Sequence, residues 1–170
     1  MNVPIIKQVP PESIGGKILF CSDQGKFYSA SGRELKPSFS PSRLNNKGGS
    51  KYPIMRHFSN RNCHHLVWET FVGPRTKGME IDHINGDKMD WSLANLEEVT
   101  PAENRKRAVI LRALRKNGVD PRQFSSDNLK AIFAKYILDN GTLTPGTSAP
   151  GALTPIDARM ERDMSRHAEI

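Results

Sequence analysis

A chain of 170 residues with 36% hydrophobic content has room for one compact core or two small ones, which excludes a large enzyme. A formal net charge of +7 and a pI of about 9.6 point to an acidic partner, nucleic acid being the commonest, with plain solubility as the alternative. No apolar run is long enough to span a bilayer. Met1–Pro11 lacks the charged start and apolar stretch of a signal peptide, so an intracellular protein is expected.

In chain order, residues 1–16 are rich in Pro and Gly and read as an arm. Lys17–Cys21 reads as a strand, Ser22–Gly25 as a turn, Lys26–Ser29 as the returning strand, and Glu34–Lys36 as a third strand after a Ser31-Gly32 turn. This is a meander. Pro37–Ser50 reads as a loop or hairpin tip, and Tyr52–Phe58 as a further strand. Arg43, Lys47, Lys51, Arg56 and Arg61 are candidates to line phosphates here, against the plain reading of a solvated loop. Cys63–Val72 reads as a short helix with Leu66, Val67 and Phe71 on one side, stopped by Gly73-Pro74. Cys21 and Cys63 form no C-x-x-C pair and no zinc spacing, and are expected as reduced thiols.

Thr100-Pro101-Ala102-Glu103 is the clearest helix start in the chain. Thr stands as N-cap, Pro at the first helical position, and Glu three residues after the cap. Asn104 therefore falls in the first turn. The spacing predicts a helix to about Lys116, ended by Asn117-Gly118, with Val109, Ile110, Ala113 and Leu114 as its apolar side. Another helix is expected from Ser125 or Ser126 to Asn140-Gly141, carrying Leu129, Ile132, Phe133, Tyr136 and Ile137. From Thr142 the composition turns to Thr, Pro, Gly, Ser and Ala, a flexible linker leading to a charged tail.

Charge is segregated. Between Asp82 and Glu103 six acidic residues stand against Lys88 alone. From Arg105 to Arg122 the balance reverses, with Arg105, Lys106, Arg107 and Arg112 leading a basic run. An acidic island beside a basic arm suits a cation site that meets a polyanion, although two solvated faces of opposite sign would look the same.

The chemistry concentrates between Ile81 and Asn104. Ile81 and Ile84 flank Asp82-His83, Asn85-Gly86-Asp87 is a turn, and Leu96 and Val99 suit a second strand before the capped helix. A strand, a loop, a strand and a helix make a compact ββα unit. Asp82 and Asn104 offer hard oxygen ligands, which suit Mg²⁺ or Mn²⁺ better than Zn²⁺. His83, with a reference pKa near 6.5, can be neutral and take a proton from water. Asn95 can hydrogen-bond across the loop and fix the imidazole. His64 and His65 are adjacent on a helix and point in different directions, so both are read as structural. Trp68 reads as core.

His64-His65-Leu66-Val67-Trp68-Glu69-Thr70-Phe71, Ile81-Asp82-His83-Ile84-Asn85-Gly86, Asn95-Leu96-Glu97 and Val99-Thr100-Pro101-Ala102-Glu103-Asn104 together resemble HNH endonucleases, especially phage and intron-encoded homing types. The upstream Gly25-Lys-Phe-Tyr-Ser and Gly32-Arg-Glu-Leu-Lys-Pro37 resemble the small β module that precedes the nuclease in such proteins. The resemblance covers about residues 17–107. It implies a β-rich DNA-binding module (17–61) followed by a ββα-metal nuclease domain (62–118); with the arm (1–16), C-terminal helix (119–141) and tail (142–170) read from composition and spacing, an α+β chain is expected. It implies that His83 is the general base, that Asp82 and Asn104 bind one divalent ion, that Asn95 orients His83, and that double-stranded DNA is cut to 5′-phosphate and 3′-hydroxyl ends. It also implies action inside a bacterial or phage-infected cell. A single small site suggests one strand cut per monomer.

Two positions depart from the pattern. Asn104 stands where a His is common, which keeps an oxygen ligand and argues against Zn²⁺. Asp90-Trp91 stands where the family often has a pair of Asn, and an indole cannot replace an amide that braces the loop. Trp91 thus favours a second reading, a non-catalytic DNA-binding protein on a nuclease scaffold. A phage packaging accessory recruited through the tail is a third.

Overall fold

The computed structural model describes residues 3–39 and 52–138. Arg43, Lys47, Lys51, the stop at Asn140-Gly141 and the linker and tail lie outside the described residues. The fold is α+β, and the described residues fall into two compact units. One holds the described residues up to His83 together with Asp87–Val99. The other holds Ile84–Gly86 and the described residues from Thr100 on. The boundaries fall around the turn after His83 and after Val99.

The first unit begins with a four-stranded antiparallel sheet in the order β1 (Ile6–Gln8), β2 (Phe20–Ser22), β3 (Phe27–Tyr28), β4 (Glu34–Leu35). The last three strands are the expected meander, shortened and moved toward its turns. The first strand was read as arm. Its composition hides two anchors: Val9 and Ile14 are wholly buried, and Val9 N donates to Leu19 O at 2.8 Å. Two apolar side chains with a few ladder bonds suffice to tie down a Pro- and Gly-rich segment.

A second sheet runs β5 (Ser38–Phe39), β6 (Pro53–Met55), β7 (Arg61–Asn62). The strand expected over Tyr52–Phe58 stops at Met55 because Phe58 N folds back onto Met55 O, and Ser59 and Asn60 take left-handed φ of 58° and 52°. Helix α1 (Cys63–Phe71) follows at once. β8 (Glu80–His83) and β9 (Leu96–Val99) pair antiparallel, with Ile81 opposite Glu98, Asp82 opposite Glu97 and His83 opposite Leu96. One core serves this unit: Val9, Ile14, Leu19, Cys21, Phe27, Met55, Cys63, Leu66, Val67, Ile81 and Leu96. Both cysteines are free and buried in it, and burial pushes their thiols up to about 11 and about 12, so they stay protonated at neutral pH.

Trp91 takes an unforeseen part in this core. Its Nε1 donates to Gly25 O at 2.6 Å across 66 residues of sequence, and its ring packs against the cluster. Leu93 N donates to Asp23 O at 2.7 Å beside it. The loop that lacks the bracing amide is therefore fastened to the β2–β3 turn. Gly25 has φ +80°, and a Cβ there would meet Trp91 Cδ1 at 2.6 Å. Gly25→Ala is expected to cost about 2–4 kcal/mol, from left-handed strain plus the clash. Urea unfolding measures it, and a variant as stable as the parent would contradict the contact.

The second unit is built on α2 (Pro101–Lys116) and α3 (Ser126–Leu138). Thr100 Oγ1 accepts from Glu103 N at 3.1 Å, as the cap signature requires. Asn117 and Gly118, the latter at φ 78°, end α2 where expected. Ile110, Leu111 and Leu114 pack with Leu129, Phe133, Tyr136 and Ile84. Val109, read as apolar face, is 41% exposed, and Leu111 takes the inward position instead. Ile84–Gly86 sits on α2: Arg115 Nη2 donates to Asn85 O at 3.2 Å, and a Cβ on Gly86 would meet Leu111 and Arg115 at 2.8 Å.

Among the described residues no helix is long and apolar enough to cross a membrane.

Candidate active site

His83 closes β8. Strand alternation turns Ile81 and His83 inward and leaves Asp82 half-buried on the other face. The imidazole is buried, and its Nε2 has no hydrogen-bond partner among the described residues. Around it stands an aromatic cluster. The His64 ring lies 4.8 Å away at 63°, edge to face. Tyr52 lies 6.3 Å from His83 and 5.2 Å from His64. His65 meets His64 at 4.2 Å. Lys88 places its Nζ 4.1 Å from the centre of the Tyr52 ring.

Burial is the main reason the His83 pKa falls, to about 4, and the Lys88 ammonium pushes it the same way, against Asp90 and Asp87. The side chain is neutral at pH 7, as a proton acceptor must be. His64 is pushed lower, to about 2, by burial and then by His65, His83 and Lys88. Its protonation state therefore differs between folded and unfolded chain. Below about pH 6.5 the unfolded state binds a proton that the folded state refuses. The stability is fully present above 6.5 and is lost as pH falls from there toward the folded value. A loss of about 2 kcal/mol for this imidazole is expected between pH 7.5 and pH 5. Urea titrations at the two pH values check it; equal stabilities would mean that His64 is not enclosed.

Asn95 ends the short 3-10 turn Leu93–Asn95. It is buried, and its Nδ2 donates to Asp90 O at 2.7 Å. The amide thus spans the loop between β8 and β9, while Asp90 Oδ1 accepts from Ser92 Oγ at 2.7 Å and Asp87 Oδ1 from Met89 N at 2.9 Å. Asn104, half-buried in the first turn of α2, belongs to the second unit. Among the described residues no three His, Cys, Asp or Glu side chains are placed to hold a metal ion.

The basic candidates divide. Arg56 is exposed, and Arg105, Lys106 and Arg112 are exposed on α2. Arg61 is half-buried and ion-paired with Glu69. Arg107 is a correction to the expected phosphate-gripping face. It is 5% exposed, paired with Glu103 at 2.6 Å, and its guanidinium lies 5.0 Å from the Phe133 ring centre. The i,i+4 spacing from Glu103 and the apolar stem draw it into the α2–α3 packing. Sequence reasoning missed Tyr52 and Lys88. Lys88 did carry a signal, as the lone cation in an acidic stretch.

A family model described as HNH endonuclease matches residues 61–106. The chain is 46% identical over 41 residues to YosQ of Bacillus subtilis (strain 168), by name an SPbeta prophage-derived HNH homing endonuclease, covering 24% of this chain and 24% of that protein. It is equally 46% identical over 41 residues to Protein 3.8 of Escherichia phage T7, covering 24% of this chain and 34% of that one. The matched segment thus spans about a third or less of either relative's length. A solved structure of DNA binding and cleavage by the HNH homing endonuclease I-HmuI aligns with a TM-score of 0.35 and 22% identity, over 74% of this chain and 66% of that one.

Proposed function

From a segment, residues 61–106, that belongs to the HNH endonuclease family, we propose that the protein is a divalent-metal-dependent endonuclease acting on double-stranded DNA. The observation that carries this reading is His83: a buried imidazole, held neutral, at the end of a strand inside the matched segment and next to a carboxylate. A base that is neutral at working pH and fixed by packing is what water activation needs.

Nε2 is enclosed, so Nδ1 is the nitrogen assigned to the water. The water proton passes to Nδ1 as the water oxygen attacks phosphorus. The bond from phosphorus to the 3′ oxygen breaks, leaving a 5′-phosphate, and the 3′ oxygen takes a proton from solvent. Asn95 holds the loop that follows His83 through its bond to Asp90 O, and Trp91 anchors the same loop at Gly25. With the indole so employed, Trp91 no longer speaks for an inactive scaffold.

The donors proposed for the ion are Asp82 and Asn104. Both are hard oxygens, and a site with few protein ligands and several waters is how Mg²⁺ or Mn²⁺ commonly meets a phosphate. When bound, the ion would supply charge stabilisation to the crowded phosphate and the leaving oxygen. Exposed Arg56, Arg105, Lys106 and Arg112 supply positive charge for the backbone, and the strands within 17–39 and 52–61 position the duplex.

Supercoiled plasmid, incubated with the purified chain in Mg²⁺, Mn²⁺ or EDTA, tests the reading. Nicked or linear DNA with metal alone is expected. A chain that neither cuts plasmid nor cuts DNA from its own source, yet binds DNA equally with and without chelator, would be a binding protein instead.

A further inference from the structure

We propose that Lys88 is a catalytic residue that contacts a non-bridging oxygen of the phosphate under attack, and that Tyr52 is the positioning residue that holds its ammonium there. The inference rests on the nuclease reading above.

The argument begins with charge. The loop that follows His83 carries Asp87 and Asp90, and the strands beside it carry Asp82, Glu97 and Glu98. A phosphodiester approaching this loop meets a stretch of chain rich in carboxylates. Lys88 is the only basic side chain in that stretch of sequence. A lysine in such a loop would be expected to wander into solvent, since its four-carbon stem is flexible. Here the side chain is half-buried, and the ammonium sits 4.1 Å from the Tyr52 ring centre. A cation over an aromatic face at that distance is held by the ring quadrupole.

The ring is itself held. Tyr52 packs 5.2 Å from His64 and 6.3 Å from His83, centre to centre, and both imidazoles are buried. The tyrosine therefore fixes the cation one ring away from the imidazole that accepts the proton. A fixed positive charge beside the water-activating base is where negative charge grows in the transition state, and a donor that needs no reorganisation contributes most there. Tyr52 Oη is not needed for any of this; only the ring face is.

Four variants test it: Lys88→Met, Lys88→Arg, Tyr52→Phe and Tyr52→Leu. Cleavage is followed under single turnover with saturating enzyme, binding by Kd for the same DNA in Ca²⁺, and folding by thermal melting. Lys88→Met is expected to slow cleavage by about 100-fold while Kd changes less than threefold. Lys88→Arg should recover part of the rate. Tyr52→Phe keeps the ring face and should cut within threefold of the parent, whereas Tyr52→Leu should fall toward Lys88→Met. Parent-like cleavage by a folded Lys88→Met overturns the catalytic role. A Tyr52→Phe variant as slow as Tyr52→Leu overturns the positioning role, because the hydroxyl and not the ring face would then be required. A parent protein that binds DNA but never cuts it overturns the nuclease reading and this inference with it. A parent that cuts while Lys88→Met cuts equally well overturns the inference alone.

Discussion

His83→Ala is expected to leave DNA binding intact and to lower the cleavage rate by about 10²- to 10⁴-fold, the range a positioned general base supplies. Binding is measured by Kd in Ca²⁺ and cleavage under single turnover, so that a lost step is not mistaken for a lost complex. The substitution removes a side chain that is buried against His64 and Tyr52, and folding must be checked beside it. His83→Gln keeps most of the volume and a polar end but offers no basic nitrogen. If both variants melt like the parent and both cut slowly, the missing group is the base. If His83→Gln cuts at the parent rate, proton transfer to His83 is not part of the reaction. The pH profile bears on the same point. The imidazole is depressed to about 4, so the base stays deprotonated down to mildly acidic pH. Cleavage should fall only as pH drops toward that value, earlier if the bound phosphate raises it.

Removing the proposed ion, or the carboxylate assigned to hold it, is expected to be the other large effect. EDTA should abolish cleavage, with Mg²⁺ or Mn²⁺ restoring it. Asp82→Ala should cost about 10²- to 10³-fold or more in rate, comparable to losing a preorganised charge-stabilising group. The metal itself gives a readout independent of activity: Mn²⁺ binding followed by calorimetry or by its electron-spin signal should weaken in Asp82→Ala and in Asn104→Ala. Asn104→Asp, which keeps a hard oxygen, should bind Mn²⁺ at least as tightly as the parent. Mn²⁺ affinity unchanged in both alanine variants would dismiss this donor pair.

The elements were most legible where local chemistry decides them. Thr100-Pro101 with Glu103 marked the start of α2 and Asn117-Gly118 its end, because a cap and a left-handed stop act within one turn of chain. The meander was legible for the same reason, its turns being set by Gly25 and Gly32 at positive φ. The order of Asp82-His83, Asn95 and Asn104 was legible as chemistry. It told which residues to watch without telling what surrounds them.

What the sequence hid was decided by packing between distant residues. Composition made residues 1–16 an arm, but Val9 and Ile14 found a core and Ile6–Gln8 found the edge of β2. The run of cations on α2 read as one gripping face. A helix shows its sides only when its partner is known, and α3 draws Arg107 inward over Phe133 while Arg105, Lys106 and Arg112 stay exposed. Trp91 looked like a defect in the loop and is its anchor, because Gly25 offers an open backbone carbonyl and no Cβ. Tyr52 and Lys88 carry no shared pattern in the chain. Their cation–π pair, and its place beside His64 and His83, exists only in three dimensions. Backbone signals reach a few residues, so the sequence by itself determined the caps, turns and order of candidate groups. Burial and electrostatics depend on neighbours from anywhere in the chain, so only the tertiary structure decided which charges face solvent, which are spent in the core, and which stand beside the imidazole.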